Sequence, residues 1–417
     1  MKINRDGYLD KIRLREKNGM IKVITGVRRV GKSYLLFNIF LNDLLERGIA
    51  RDHIIDIPLD DIEYEELRES HALYRFVKSK IIDDKQYYVL LDEIQYVPRF
   101  VDVMNSFLHI ENLDVYVTGS NSKFVSSDIL TEFRGRGDEI RVYPLSFAEF
   151  MTVYDGSEVD GLNEYMTYGG LPRIVSMKTD DQKSKYLENL FKETYIKDII
   201  DRNKIKNTGE FEDLVNILAS AIGSLTNPKK LENTFQSVMK STITDKTIKT
   251  YIDYLKDAFL IDLAIRYDIK GRKYVSTPMK IYFVDTGLRN ARLGFRQIEE
   301  SHLMENMIYN ELKVRGFSVD VGLIETREVD ENGAKRRKSL EVDFIAHKGN
   351  NKYYIQSAFA LPDTEKKAQE ERPLLNINDS FKKIVIIGNQ IKLKRDENGI
   401  ATLGIREFLL KENSLDL

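Results

Sequence analysis

From Met20 to about Tyr143 the chain alternates short apolar runs with longer stretches whose apolar residues recur at helical spacing. The runs are MIKVITG, then helical YLLFNIFLNDLLERG, then HIIDIPL, YYVLLDEI, DVYVTGS and EIRVYPL. This alternation predicts an α/β domain with a doubly wound parallel sheet. The strands are apolar on both faces, as strands covered by helices on each side must be. From about Glu149 to Ile205 the pattern is helical and rich in charge of both signs, punctuated by YGGLPRIV. That stretch reads as a helical lid or connector.

Between Phe211 and Asn290 three helical segments, FEDLVNILASAIGS, NPKKLENTFQSVM and TDKTIKTYIDYLKDAF, precede a strand pair around a turn at Gly271. Three helices followed by a strand hairpin is the order of a winged helix. After a break near Arg296 comes an α, three β, α, β unit, from helix HLMENMIYNELKVRG to strand KKIVIIG. The expected domains are therefore 1–150 (the α/β core), 151–210 (lid), 211–295 (winged helix) and 296–417 (an α/β tail). DGYLDKIRL near the start reads as a strand packed on the first domain and carries no assigned chemistry.

Composition narrows the class. A chain of 417 residues exceeds what one core usually organises. With 42% hydrophobic and 31% charged residues it has an ordinary globular balance, and no run approaches the roughly 18 apolar residues of a membrane span. The charged N-terminus lacks the apolar centre of a signal peptide, and the absence of cysteine excludes disulfides and thiolate zinc sites. A cytoplasmic protein is expected, with no membrane partner. A net charge of -2 argues against a globally basic nucleic-acid coat and leaves room for a basic face on one domain.

The chemistry begins at Gly26-Val27-Arg28-Arg29-Val30-Gly31-Lys32-Ser33, followed by Tyr34, which fits G-x-x-x-x-G-K-S/T between a strand and a helix. In such a loop glycines let backbone N–H groups curl around phosphates, the lysine meets β and γ oxygens, and the serine hydroxyl binds Mg²⁺. YYVLLDEIQ supplies Asp92 at a strand end to order the metal, with Glu93 beside it to orient an attacking water. DVYVTGSNSKF delivers Thr118, Ser120 and Asn121 to the same sheet edge, where a polar group can contact the γ-phosphate or the water; turn chemistry is the alternative reading. LTEFRGRGDEI offers Arg134 and Arg136 as transition-state cations, in cis or in trans.

Together GVRRVGKS, LLDEIQ, VTGSNS, FRGRGDEIRVYPLSFAEF and YGGLPRIV resemble the prokaryotic AAA-type (AAA+/STAND-like) P-loop ATPases that carry a C-terminal DUF4143 domain, over essentially the whole chain. The resemblance implies an ATP-binding core, a helical lid, a winged helix and a restriction-endonuclease-like tail. Within it, Gly169, Gly170 and Pro172 look like a lid motif from which Arg173 could approach the nucleotide.

In the winged-helix segment, Thr244 is a good N-cap; Ile248, Ile252 and Leu255 share one face and leave Lys246, Lys249, Thr250 and Asp253 outward. With Lys270, Arg272 and Lys273 on the wing this could meet duplex DNA, although Asp245, Asp253 and Asp257 dilute the charge; docking of a protein, a further copy of the chain included, is the alternative. In the tail, Glu305 and Asp343 stand where PD-(D/E)xK nucleases hold metal-binding acids, but Gln356-Ser357-Ala358 replaces E-x-K. Losing that charge and that lysine predicts a nuclease fold without nuclease chemistry, with Lys352 or Lys348 as candidates for a relocated lysine. The expected function is ATP hydrolysis to ADP and phosphate that switches binding of DNA or a protein partner; a nucleotide-dependent scaffold with little turnover, or an ATP-regulated nuclease, is the alternative.

Overall fold

The computed structural model describes residues 3–119, 133, 135–329 and 335–416. The chain falls into two compact units, Met1–Pro144 with Asp257–Phe259, and Leu145–Lys256 with Leu260–Leu417. No helix among the described residues is long and apolar enough to cross a membrane.

The first unit is built on β1 (Ile21–Thr25), β2 (Ile54–Pro58), β3 (Tyr87–Asp92), β4 (Leu113–Thr118) and β5 (Gly137–Arg141). All pair in parallel in the order β2-β3-β4-β1-β5. Strands buried on both faces explain the continuous apolar runs. One face, with Val23, Val89, Leu91, Val115 and Val117, packs with Leu73, Val77, Met104 and Phe107 in a single core. On the other, Phe40 of the helix that follows Gly31 sets its ring 4.7 Å from that of Tyr116. Lys22 and Asp114 form a fully buried ion pair inside this sheet, and Tyr116 donates to the same carboxylate at 2.7 Å. A buried charge persists only when paired in this way.

The N-terminal segment corrects the sequence reading. It is a helix, Asp6–Arg13, because Tyr8 and Ile12, four residues apart, are the positions it buries. It packs on the core as expected: the Tyr143 N–H donates to Tyr8 Oη at 3.0 Å.

The second unit opens with helices Phe147–Met151 and Glu158–Tyr168, the first closed by a reciprocal Ser146–Glu149 capping box. A long helical run covers Asp180–Asn203. YGGLP is the junction between them. Gly169 has φ +75°, and a Cβ there would lie 2.1 Å from Asp285 Oδ1, so only glycine fits. The Gly170 N–H donates to Asp285 Oδ2 at 2.7 Å.

The three helices Thr208–Ser220, Pro228–Met239 and Asp245–Asp257 precede the hairpin of β6 (Ile261–Asp268) and β7 (Lys273–Phe283), in the expected order. The hairpin does not stand apart as a wing. β6 pairs in parallel with β8 (Ser318–Val329), which continues through β9 (Lys335–Lys348), β10 (Asn351–Ala358) and β11 (Lys382–Ile387) to the short β13 (Ala401–Gly404) and β12 (Lys394–Arg395). The result is one eight-stranded sheet, β12-β13-β11-β10-β9-β8-β6-β7, across the boundary expected near residue 295. Within it the tail keeps the expected α, three β, α, β order: helix Glu300–Val314, β8 to β10 antiparallel, helix Thr364–Leu375, and β11 parallel to β10.

Candidate active site

β1 ends at Thr25 and the next helix starts at Lys32, so residues 26–31 form a loop at the C-terminal edge of the parallel sheet. Gly26 has φ +135°, and a Cβ on it would lie 2.2 Å from the Val142 carbonyl oxygen. Gly31, at φ +96°, is the left-handed N-cap of the helix. Val27 and Val30 are buried and pin the loop down, whereas Arg29, Ser33 and Tyr34 are exposed and Arg28 half-buried. The first amides of a helix have no intrahelical acceptor, so Lys32, Ser33 and Tyr34 offer an anion their N–H groups.

Strand order does the rest. β4 lies between β1 and β3, and Ile24 registers with Thr118. Asp92 at the end of β3 therefore meets Thr118 at the end of β4: the Thr118 hydroxyl donates to Asp92 Oδ1 and accepts the Glu93 N–H at 3.1 Å. Burial raises the Asp92 pKa, and the Thr118 hydroxyl, with Ser33 nearby, opposes that rise. Glu93 sits at φ +50°, its carboxylate accepting from Gln95 Nε2. A left-handed backbone at the first residue beyond the strand turns Glu93 away from the strand path.

Lys32 is only 5% exposed, and its ammonium donates to the Gly26 and Val27 carbonyls at 2.9 and 3.1 Å. Burial lowers its pKa to about 8, while the charges of Glu93 and Asp92 resist the fall. A buried lysine flanked by two acids at a helix N-terminus suits an oxyanion ligand. The set also fits magnesium: the Ser33 hydroxyl and Asp92 carboxylate lie near one another and are hard oxygen donors, the kind this ion takes.

The remaining sequence candidates divide. Arg136 lies outside this constellation: its carbonyl accepts the Ile21 N–H at 2.8 Å, at the start of β1, while the loop follows the end of β1. Four strand steps, about 13 Å, separate the two edges. Its exposed side chain donates to Asn105 Oδ1 at 3.3 Å, in the same unit. Asn121, with Ser120 and Arg134, lies outside the described residues. Arg173 belongs to the second unit, exposed at the start of the turn Ile174–Ser176. Sequence reasoning missed Arg5. Its buried guanidinium donates to Val30 O of the loop at 3.2 Å and to Tyr143 O at 2.8 Å, tying the N-terminus to the loop. A lone arginine ahead of a helix carries no signal of that kind.

In the second unit, Lys246, Lys249, Thr250 and Asp253 are exposed on the helix Asp245–Asp257 and Ile248, Ile252 and Leu255 buried, as the pattern required. Lys270, Arg272 and Lys273 are exposed at the hairpin turn. Arg337 and Lys338, in β9, are exposed. In the tail the structure brings Glu305, Asp343 and Gln356 together, but neither Lys352 nor Lys348 joins them. Lys352 pairs with Asp379 at 3.6 Å, and Lys348 donates to Arg315 O at 2.8 Å.

Comparison with known proteins agrees with this first unit. Residues 18–151 match the AAA_14 family, an AAA domain. Residues 159–299 match a domain of unknown function, DUF8612, which differs from the DUF4143 kind that the sequence resembles. An uncharacterised protein of Haemophilus influenzae is 34% identical over 98% of this chain and 99% of its own length. One of Methanocaldococcus jannaschii is 29% identical over 92% of this chain and 87% of its own. The Orc1 protein of Aeropyrum pernix, solved in complex with DNA, aligns with 70% of this chain and 92% of its own at 10% identity and a TM-score of 0.29. By its near full-length match the chain belongs to one family with the Haemophilus influenzae protein, and its residues 18–151 form an AAA domain.

Proposed function

We propose that the protein is an ATPase that hydrolyses ATP to ADP and phosphate, and that nucleotide state governs binding of a macromolecular partner. The observation that carries this reading is the linkage Asp92–Thr118–Glu93, which joins two adjacent strand ends at the sheet edge that also carries the phosphate loop with its buried Lys32.

Gly26 to Tyr34 bind the nucleotide phosphates through backbone N–H groups, with Lys32 as the cation on the β and γ oxygens. Ser33 and Asp92 would hold magnesium, whose contribution when bound is to neutralise the phosphate charge. Glu93 accepts a proton from the attacking water, and Thr118 keeps Asp92 and the Glu93 backbone in place. Asn121, three residues after Thr118 in the sequence, is the candidate contact for the γ-phosphate or the water. Arg136, at the far edge of its own sheet, serves the nucleotide of a neighbouring copy, which makes the active form a homo-oligomer. Arg173 is the second unit's candidate for sensing nucleotide.

The exposed lysines of Asp245–Asp257 and of the β6–β7 turn make duplex DNA the first partner to try, with a protein partner as the alternative. Steady-state ATP hydrolysis with and without duplex DNA, using Lys32→Ala as the blank, tests both parts. Stimulation that fades steeply with salt supports DNA. Turnover indifferent to DNA redirects the search to proteins, and turnover equal to the blank refutes the ATPase.

A further inference from the structure

The tail acids enclose a lysine from outside the tail. Lys280, on β7 of the hairpin, sends its ammonium to Glu305 at 2.8 Å, Glu341 at 2.9 Å and Asp343 at 3.0 Å. The ammonium donates hydrogen bonds to Glu305 and Asp343, and Glu341 adds an ion pair. The Lys280 side chain is 3% exposed, and those of Glu305 and Asp343 are nearly as enclosed. Tyr282, two residues on, donates to Glu305 at 2.7 Å, and the Ser357 N–H donates to the second oxygen of Asp343 at 2.9 Å. Gln356 has turned to structural use. Its carbonyl faces the Asp343 N–H at 3.4 Å and its amide donates to Glu370 at 3.2 Å.

A divalent cation does not fit this arrangement as it stands. Magnesium needs oxygens at about 2.0–2.1 Å and calcium at about 2.3–2.6 Å, and the centre of the three carboxylates is taken by Nζ. Among the described residues no group of acids or histidines is disposed to hold a metal. Charge explains why the lysine stays. Burial works against its ammonium, but the surrounding charges, Asp343 first, keep its pKa well above the ordinary value. Burial in turn raises Glu305 to about 7 despite the lysine. Three carboxylates around one cation leave the site with excess negative charge.

We propose that Lys280 is a resident cation standing where a metal would otherwise bind, so that the tail is a latent metal site locked by the hairpin. It belongs to the second unit alone and does not depend on the ATPase reading. The lock has a direct consequence: an uncharged side chain of similar length at position 280 releases three carboxylates that need only close in by about half an ångström to hold calcium.

Equilibrium dialysis of the full chain against Ca²⁺, without nucleotide, tests this. Lys280→Met is expected to gain one bound ion per chain, about tenfold or more tighter than any wild-type binding, and to lose it when Asp343→Asn is added. Lys280→Arg, which keeps a cation, gains none. A folded Lys280→Met chain that binds no Ca²⁺ overturns the proposal. So does a wild-type ion that disappears with Asp343→Asn, because the lysine would then be a member of a working metal centre. If Lys280→Met unfolds alone, Ca²⁺ is expected to restore its cooperative melting, and failure to do so counts against the latent site.

Discussion

Lys32 gives the ATP site a pH signature. Its buried ammonium titrates at about 8 against an ordinary 10.5, so roughly nine chains in ten carry the charge at pH 7 and about one in eleven at pH 9. Phosphates binding at the loop favour the charged form and move the value back up. The sign follows: above pH 8 binding must recruit a proton, so affinity falls as pH rises. With the ordinary value restored in the complex, the loss between pH 7 and 9 is about tenfold, or ~1.4 kcal/mol. Equilibrium binding of a fluorescent ATP analogue with Mg²⁺ present measures it, in a range where phosphate is already ionised. Lys32→Arg supplies the control, because a guanidinium stays charged throughout and its curve should be flat, if weaker overall. Wild-type affinity constant from pH 7 to 9, or an equal slope in the arginine variant, would refute a desolvated Lys32 at the phosphate position.

Other perturbations separate the parts of the site. Thr118→Val keeps shape but strips Asp92 of a donor and the Glu93 N–H of its acceptor; ATP turnover should drop about tenfold or more while nucleotide binding changes little, and unchanged turnover would remove Thr118 from the mechanism. Arg136→Ala should bind nucleotide normally and turn over poorly, and mixing it with Lys32→Ala should regain activity that neither has alone; no recovery on mixing would sink the trans assignment. Asp285, held at about 6 by burial against its backbone donors, accepts from Gly170 on one oxygen and Leu288 on the other. Asp285→Asn faces one of those amides with a donor and should cost about 1–3 kcal/mol, read as a lower melting temperature of the second unit; an unchanged melt would show the junction to be dispensable.

The first unit was legible because each parallel strand is a short apolar run ending in polar residues, and those ends carry the proposed site. Lys32, Ser33, Asp92 and Glu93 could be picked from spacing alone. That Thr118 bonds Asp92 could not, because it depends on β4 lying between β1 and β3, and strand order is not written in local pattern. The placement of Arg136 is of the same kind: its distance from the loop follows from the register of β5 with β1. DGYLDKIRL misled because Tyr8, Ile12 and Leu14 all fall at even steps, as on one face of a strand, while Tyr8 and Ile12 are also at helical spacing. Lys280 was invisible for a further reason. It lies 63 residues from Asp343, in a hairpin whose sequence order suggested another domain, and only the β6–β8 pairing brings them into one sheet. Arg289 shows the limit of the polar-outside rule, since its guanidinium is fully buried against Ala219 O at 2.7 Å.

The most direct test of the central claim is single-turnover ATP hydrolysis by wild type, Lys32→Ala and Glu93→Gln, with nucleotide binding measured on the same samples. Binding retained in Glu93→Gln with hydrolysis reduced about a hundredfold or more, and binding lost in Lys32→Ala, is the expected result. Glu93→Gln hydrolysing ATP as fast as wild type would contradict the assignment of the base, and wild type no faster than Lys32→Ala would contradict the ATPase itself.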